Sequence, residues 1–325
     1  MIGERFEVAR NFCNKLWNAA RFVLLNIDEA ILQTTWQGWW DDVLGWYLPI
    51  EDQWILSRLA TVTKDVAESL ESYHYADAMR TLYDFAWDDF CSFYVEIMKT
   101  RLNDEDEKSN AEGILVHVLY VLIRLLHPVI PFVTEEIYQR LRYVLCEKYD
   151  SLTVAPFPVV DESDINHEVE KQFAVFQELL RAVRDVRASR NVPPKMEIAF
   201  SVRCDEATAK LLQPMEPYFL SMARAKATGW GPATQSPALS TTVPLTGMDV
   251  FVDISELIDV PAEIAKLAKE LTKLEGFIKS KESKLNSDFV QKAPPAVVEK
   301  ERQSLEELRS QHQSATSAIA QLKRI

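Results

Sequence analysis

The spacing of apolar positions divides the chain into three textures. Between residues 4 and 25, Phe6, Ala9, Cys13, Leu16, Ala20 and Val23 recur at three and four residues, which predicts an amphipathic helix. Pro49 suits the first turn of a second helix, whose stripe is Trp54, Ile55, Leu59, Val62, Val66 and Leu70. Leu82, Phe85, Phe90, Phe93 and Ile97 predict a third over 75–101. Residues 111–126 are apolar nearly all round, the pattern of a central buried helix. HPVIP (127–131) ends it, because proline disfavours helix at the preceding residue, and a fifth helix is expected over 131–147. Five helices on short connections make a bundle over 1–150. An aromatic connector, TTWQGWWDDVLGWYLP, holds four of the eight tryptophans and is expected to pack as a lid on that core.

The second texture begins with the proline-bearing linker TVAPFPVVDESD. A helix over 166–190 carries Phe173, Phe176, Leu180, Val183 and Val186 on one side. Short β-rich runs follow at 197–202, 223–228, 241–245 and 249–254, with one helix expected over 205–221, so residues 151–258 read as a small α+β junction domain. In the third texture, Ile264, Leu267, Leu271, Leu274, Ile278 and Leu285 keep a heptad spacing with only Lys281 polar in the seam. Leu305, Leu308, His312, Ala315, Ile319 and Leu322 resume it beyond a Pro-Pro turn. The expectation for 259–325 is an antiparallel coiled-coil hairpin. The fold class is therefore mainly α: bundle, α+β junction and hairpin.

Composition narrows the function more than the fold. Hydrophobic residues at 47 % and charged residues at 26 % describe an ordered, soluble protein, and 8 glycines leave little for phosphate-cradling loops. Cys13, Cys91, Cys146 and Cys204 stand singly, as reduced thiols of a cytosolic protein would. No apolar run approaches the ~20 residues of a membrane span, and the start resembles neither a signal nor a transit peptide, so no membrane partner is expected. The net charge of −13 weighs against nucleic acid. It is unevenly spread, however: residues 261–325 hold 12 Lys and Arg against 9 Asp and Glu, so the acidity lies in the body. Local patches, not totals, decide binding.

Catalytic and nucleotide-binding motifs are missing: GxxxxGK[ST], GxGxxG, HExxH and GxSxG do not occur. Five histidines are dispersed, and His117 in the apolar helix reads as a satisfied core histidine. The acidic pairs Asp88–Asp89 and Glu135–Glu136 point about 100° apart on a helix, a poor arrangement for acid–base work. What remains suits RNA. The first helix offers Arg10, Asn11, Asn14, Lys15, Trp17, Asn18 and Arg21, side chains that read base edges or stack on unpaired bases. Three asparagines on one helix ask for a reason, since asparagine is a mediocre helix former, although a solvated polar face explains them equally. Arg181, Arg184, Arg187 and Arg190, each three residues from the next, are candidates for phosphate contact, as are Lys273, Lys279, Lys281, Lys284, Lys292, Arg302 and Arg309 on the hairpin. Pairing with glutamates across the coil uses some of these cations.

The residues carry a resemblance. ARNFCNKLWNAARFVL (9–24), LYDFAWDDFCSFYVEIMK (82–99) and LHPVIPFVTEEIYQRL (126–141) resemble the anticodon-binding bundle of valyl-tRNA synthetases. LLRAVRDVRASRNVPP (179–194) is similar to the segment after that bundle. IDVPAEIAKLAKELTKLE (258–275) and FVQKAPPAVVEKER resemble the family's coiled-coil arm. The resemblance implies a region that receives the anticodon of valine tRNA, with Arg10, Asn11, Asn14 and Trp17 on splayed bases and Lys15, Asn18 and Arg21 in support. It implies an arm along the outer corner of the tRNA and, as a second partner, the catalytic domain of a parent chain. HIGH and KMSKS are absent, so ATP and magnesium belong to that catalytic domain, and this chain is expected to hold no cofactor or metal and to catalyse nothing alone. A hairpin closed within one chain implies a monomer. The rival readings are a protein-interaction scaffold built on the coil and a free-standing RNA-binding paralogue.

Overall fold

The computed structural model describes residues 2–28, 48–105, 107–237, 239–255 and 260–285, with 305, 306, 308, 309, 312, 313 and 316. The expected tryptophan lid falls outside them, as do Lys292 and Arg302. The chain packs as two compact units: residues 1–184 with 207–225, and residues 185–206 with 226–325. The stretch expected as a junction at 151–258 is thus shared between the two.

The first unit is a helical bundle. It comprises α1 (Ile2–Asn26), α2 (Ile50–Glu71), α3 (Tyr75–Asp84), a π-helical segment (Phe85–Tyr94), α4 (Val95–Arg101), α5 (Lys108–Leu126) and α6 (Pro131–Val144). The third predicted helix is continuous over 75–101, but its middle is wound with i→i+5 bonding. That spacing sets residues five apart on one side, and Phe85, Phe90 and Val95 are buried together with Ala86 and Cys91. On length and composition α5 is apolar enough to cross a membrane, contrary to the expectation that no stretch would be; 78 % of it is buried inside the unit, the signature of a central core helix.

The helix α7 (His167–Ser189) joins this bundle over its first five turns, to Arg184, which is why the unit runs past residue 150. Phe173 stacks on Trp54 with ring centroids 3.9 Å apart, and Phe176 meets Phe219 edge-to-face at 5.0 Å. The single helix expected over 205–221 is broken into α8 (Glu206–Leu212) and α9 (Glu216–Ala223), with a 3-10 turn at Gln213–Met215. Pro214 has no N–H to continue the ladder. Beneath α9 lies a buried polar network: Tyr218 donates to Glu51 at 2.5 Å, Tyr94 to Asp52 at 2.8 Å, and Arg101 to Asp52 at 2.6 Å and Glu107 at 2.7 Å.

The second unit holds a four-stranded sheet, made of all four predicted β runs: β1 (Ile198–Cys204), β2 (Ala225–Trp230), β3 (Ser240–Leu245) and β4 (Met248–Asp253). The order is β2-β1-β4-β3, and β4 pairs antiparallel with both neighbours, Val202 opposite Val250 and Leu245 opposite Met248. Gly247 supplies the positive φ of 78° that lets two residues close the β3–β4 hairpin. Its last helix is α10 (Val260–Leu285). Leu274 is buried there, with Leu271, Ile278, Lys281 and Leu285 half-buried, as the heptad seam requires. Arg309 pairs with Glu282 and His312 with Glu275. Partners that fall in number as the glutamates rise are the mark of an antiparallel return.

Candidate nucleic-acid interface

At about 100° per residue, Trp17, Arg10, Arg21, Asn14, Asn18 and Asn11 fan across roughly 120° of α1, with Lys15 just past the edge. The buried residues Phe12, Leu16, Ala19, Ala20 and Val23 occupy the opposite side. Arg10, Asn11, Asn14, Asn18 and Arg21 are exposed, and Trp17 is half-buried. The predicted stripe is right from Leu16 onward. Near the N-terminus Phe6 and Ala9 are exposed instead, and Phe12 takes the inward place.

Neighbouring elements flank this face on two sides. On one, the Lys15 ammonium donates to the Trp87 carbonyl at 2.9 Å and to Ser92 Oγ at 2.7 Å, and lies 3.9 Å from the centroid of the Trp87 ring. Trp87 stacks on Tyr83 (5.6 Å, 8°), and Tyr83 on Phe12 (5.1 Å, 24°). Burial holds the Lys15 pKa below the usual lysine range, against the pull of Cys91 and Asp88. On the other side the Arg140 guanidinium of α6 lies 5.7 Å from the Trp17 ring and donates to Glu136 at 2.8 Å. Further along α6, Phe132 is 91 % and Tyr143 69 % exposed. Planar cations, amide groups and aromatic planes thus converge, a set that handles unpaired bases. Trp87, Tyr83 and Arg140 were missed from sequence because only tertiary packing brings residues about 70 and 120 positions away to α1.

The arginines of α7 do not act as a series. Arg184 donates from Nε and Nη2 to the Met222 carbonyl, at 3.3 and 3.0 Å, and burial pulls its pKa down. Arg187 donates to the carbonyls of Met196 and Pro193, at 2.9 and 3.0 Å, fixing the turn after α7. Arg190 is exposed and reaches Thr241 Oγ1 at 3.2 Å; Arg181 is exposed. On α10, Lys273, Lys279 and Lys284 are exposed and Lys281 half-buried, while Arg309 is held by Glu282. Lys269, Lys273 and Lys284 share one side of α10 with Phe277, which is 60 % exposed, a basic stripe with an aromatic member.

The acidic pairs are structural. Asp89 binds Arg58 at 3.2 Å, and Glu135 accepts from the Leu152 amide at 3.0 Å. Among the described residues no group of three or more metal-ligating side chains forms. A cleft of about 540 Å³ between α2, α5 and residues 158–166 is lined by His117, Arg124, Thr63, Ser163 and Asp164 among several aliphatic side chains.

Residues 52–202 match the family described as the anticodon-binding domain of tRNA ligase, and residues 259–323 match the valyl tRNA synthetase tRNA binding arm. A valine–tRNA ligase of Rhodopirellula baltica is 42 % identical over 334 residues, covering 99 % of this chain and 32 % of the relative. One from Clostridium perfringens is 37 % identical over 307 residues (93 % and 33 %), and one from Geobacillus stearothermophilus 34 % over 325 (99 % and 36 %). The chain spans about a third of the length of the relatives it matches. The chain thus carries an anticodon-binding domain of the tRNA ligase type and a valyl tRNA synthetase tRNA-binding arm, and corresponds to the carboxy-terminal region of valine–tRNA ligases.

Proposed function

We propose that this chain binds valine tRNA, with the α1 face receiving the anticodon loop and the arm lying along the outer corner of the tRNA. The observation that carries the reading is the flanked α1 face: Arg10, Asn14, Trp17 and Arg21 directed outward, with Trp87 on one side and Arg140 on the other. Asparagine amides and guanidinium planes pair with the edges of splayed bases, and Trp17 supplies a stacking surface. In this reading Arg181, Arg190, Lys273, Lys279 and Lys284 meet phosphates, whereas Arg184 and Arg187 hold the fold. Binding at two distant places orients the tRNA for the catalytic part of a valine–tRNA ligase, which is how remote binding energy serves a chemical step. ATP and magnesium would act in that part, in the cytoplasm where translation runs, and the tRNA-binding region would work as a monomer.

The test is a titration of the chain with valine tRNA and with the same tRNA carrying an altered anticodon, at low and at physiological salt. Tighter binding to the unaltered tRNA that survives the higher salt is expected, because stacking and base-edge bonds are screened less than phosphate contacts. Equal binding to both would overturn the anticodon assignment, as would Arg10→Ala and Asn14→Ala variants that each keep affinity within about twofold.

A further inference from the structure

Lys15 points to a role different from that of its neighbours on α1. An ammonium has three donors; two are taken by the Trp87 carbonyl and the Ser92 hydroxyl, and its charge rests against the Trp87 ring. Ser92 also donates to the same Trp87 carbonyl, at 2.7 Å. These groups belong to the π-helical segment, a winding with poorer backbone hydrogen bonding than an α-helix and often found at functional sites. Side-chain donors that converge on one of its carbonyls fix it in place. The same contact sets the Trp87 indole, and through it Tyr83, at the edge of α1 where Asn11 and Lys15 lie.

We propose that Lys15 is a positioning residue that does not touch RNA: it latches the π-helical segment to α1 and so holds the Trp87 indole, stacked on Tyr83, as a fixed border of the polar face beside which the RNA lies. The proposal rests on the tRNA reading given above. It differs from a lysine–phosphate contact in a measurable way, since a lysine that neutralises a phosphate contributes about one to the slope of affinity against salt, and a latch contributes nothing.

The experiment uses the full chain and a valine tRNA transcript, with affinity measured over a salt series well below the unfolding midpoint of each variant. Lys15→Met keeps the aliphatic stem and should weaken binding about tenfold with the salt slope unchanged. Lys15→Arg, which keeps the charge and the donors, should restore affinity to within about threefold. In a Trp87→Leu background the Lys15→Met change should cost less than about twofold, because the group it positions is gone. A purely structural lysine would shift the unfolding midpoint and leave the affinity of the folded variant at the wild-type value, which overturns the latch. A slope lowered by about one in Lys15→Met also overturns it, in favour of direct phosphate contact. If the unaltered chain fails to bind the tRNA, the tRNA reading itself falls; if it binds and Lys15→Met binds equally well, only the latch falls.

Discussion

Replacing Arg101 by methionine tests whether the buried network under α9 holds the bundle together. Arg101 is 4 % exposed and faces Asp52 and Glu51, which are 0 % and 6 % exposed. Arg101 Nη1 sits 2.6 Å from Asp52 and 3.9 Å from Glu51. Removing the cation that faces both buried carboxylates strands them, a change that costs ~3–5 kcal/mol in comparable sites. For a unit of roughly 200 residues, that lowers the melting temperature by about 6–20 °C.

The same network predicts how the penalty depends on pH. Burial pushes the Asp52 carboxyl up to about 6, more than the Arg101 guanidinium pulls it down. Its folded value exceeds the unfolded value of ~3.9, so the fold holds this proton more tightly than the unfolded chain. Stability from Asp52 is therefore greatest at low pH and is lost as pH rises from about 4 through 6. Losing Arg101 removes the main pull that lowers the Asp52 value, so the Asp52 carboxyl of the variant takes up its proton more fully at pH 5 than at pH 7.5, which relieves part of the penalty. Urea unfolding followed by far-UV circular dichroism should give a penalty above ~3 kcal/mol at pH 7.5 and a clearly smaller one at pH 5. A penalty below ~1 kcal/mol at pH 7.5, or one of equal size at both, would refute the reasoning.

Other perturbations separate structure from binding. Arg184→Gln should destabilise the chain by ~1–2 kcal/mol by leaving the Met222 carbonyl short of a donor, yet leave the salt dependence of RNA binding unchanged. Arg181→Gln should do the reverse, lowering the slope by about one with the unfolding midpoint unmoved. Trp17→Ala and Arg140→Ala should each weaken tRNA binding by about tenfold, and the double variant by much less than the product, because the two planes lie 5.7 Å apart and act as one surface. Burial pushes His117 down to about 3 against ~6.5 in the unfolded chain, so the stability it contributes is complete above pH 6.5 and is lost as pH falls toward 3. Urea midpoints of His117→Asn should therefore fall less steeply than wild type between pH 6.5 and 4.

The fold was largely legible from sequence because burial writes itself into periodicity. The four β runs and every helix of the bundle carry their spacing in the chain. The exceptions are physical. Phe6 and Ala9 continue the period of α1, yet nothing covers them among the described residues, and periodicity reports which residues share a face without reporting where the neighbour stops. Pro214 breaks a helix whose apolar pattern runs straight through it. The π winding at Phe85–Tyr94 has the composition of an ordinary helix, and the buried pairs five apart give it away only afterwards.

The candidate site was legible in part, and the four arginines of α7 show why. A step of three residues turns a helix through about 300°, so each side chain lies some 60° behind the last. The three steps between four arginines sweep half the helix surface, and a half-surface of a packed helix cannot be all solvent. Arg181 and Arg190 stand at its ends and are exposed, whereas Arg184 and Arg187 fall between and are drawn onto backbone carbonyls. The polar residues of α1 are spaced differently: Arg10, Asn14, Trp17 and Arg21 follow steps of four, three and four, which return to one line. Opposite them a closed apolar stripe leaves no inward route. Spacing therefore separates residues offered to a partner from residues absorbed by the fold, and Lys15 obeys the same rule: it lies beyond the exposed fan, beside the π-helical segment, and the fold has taken its donors.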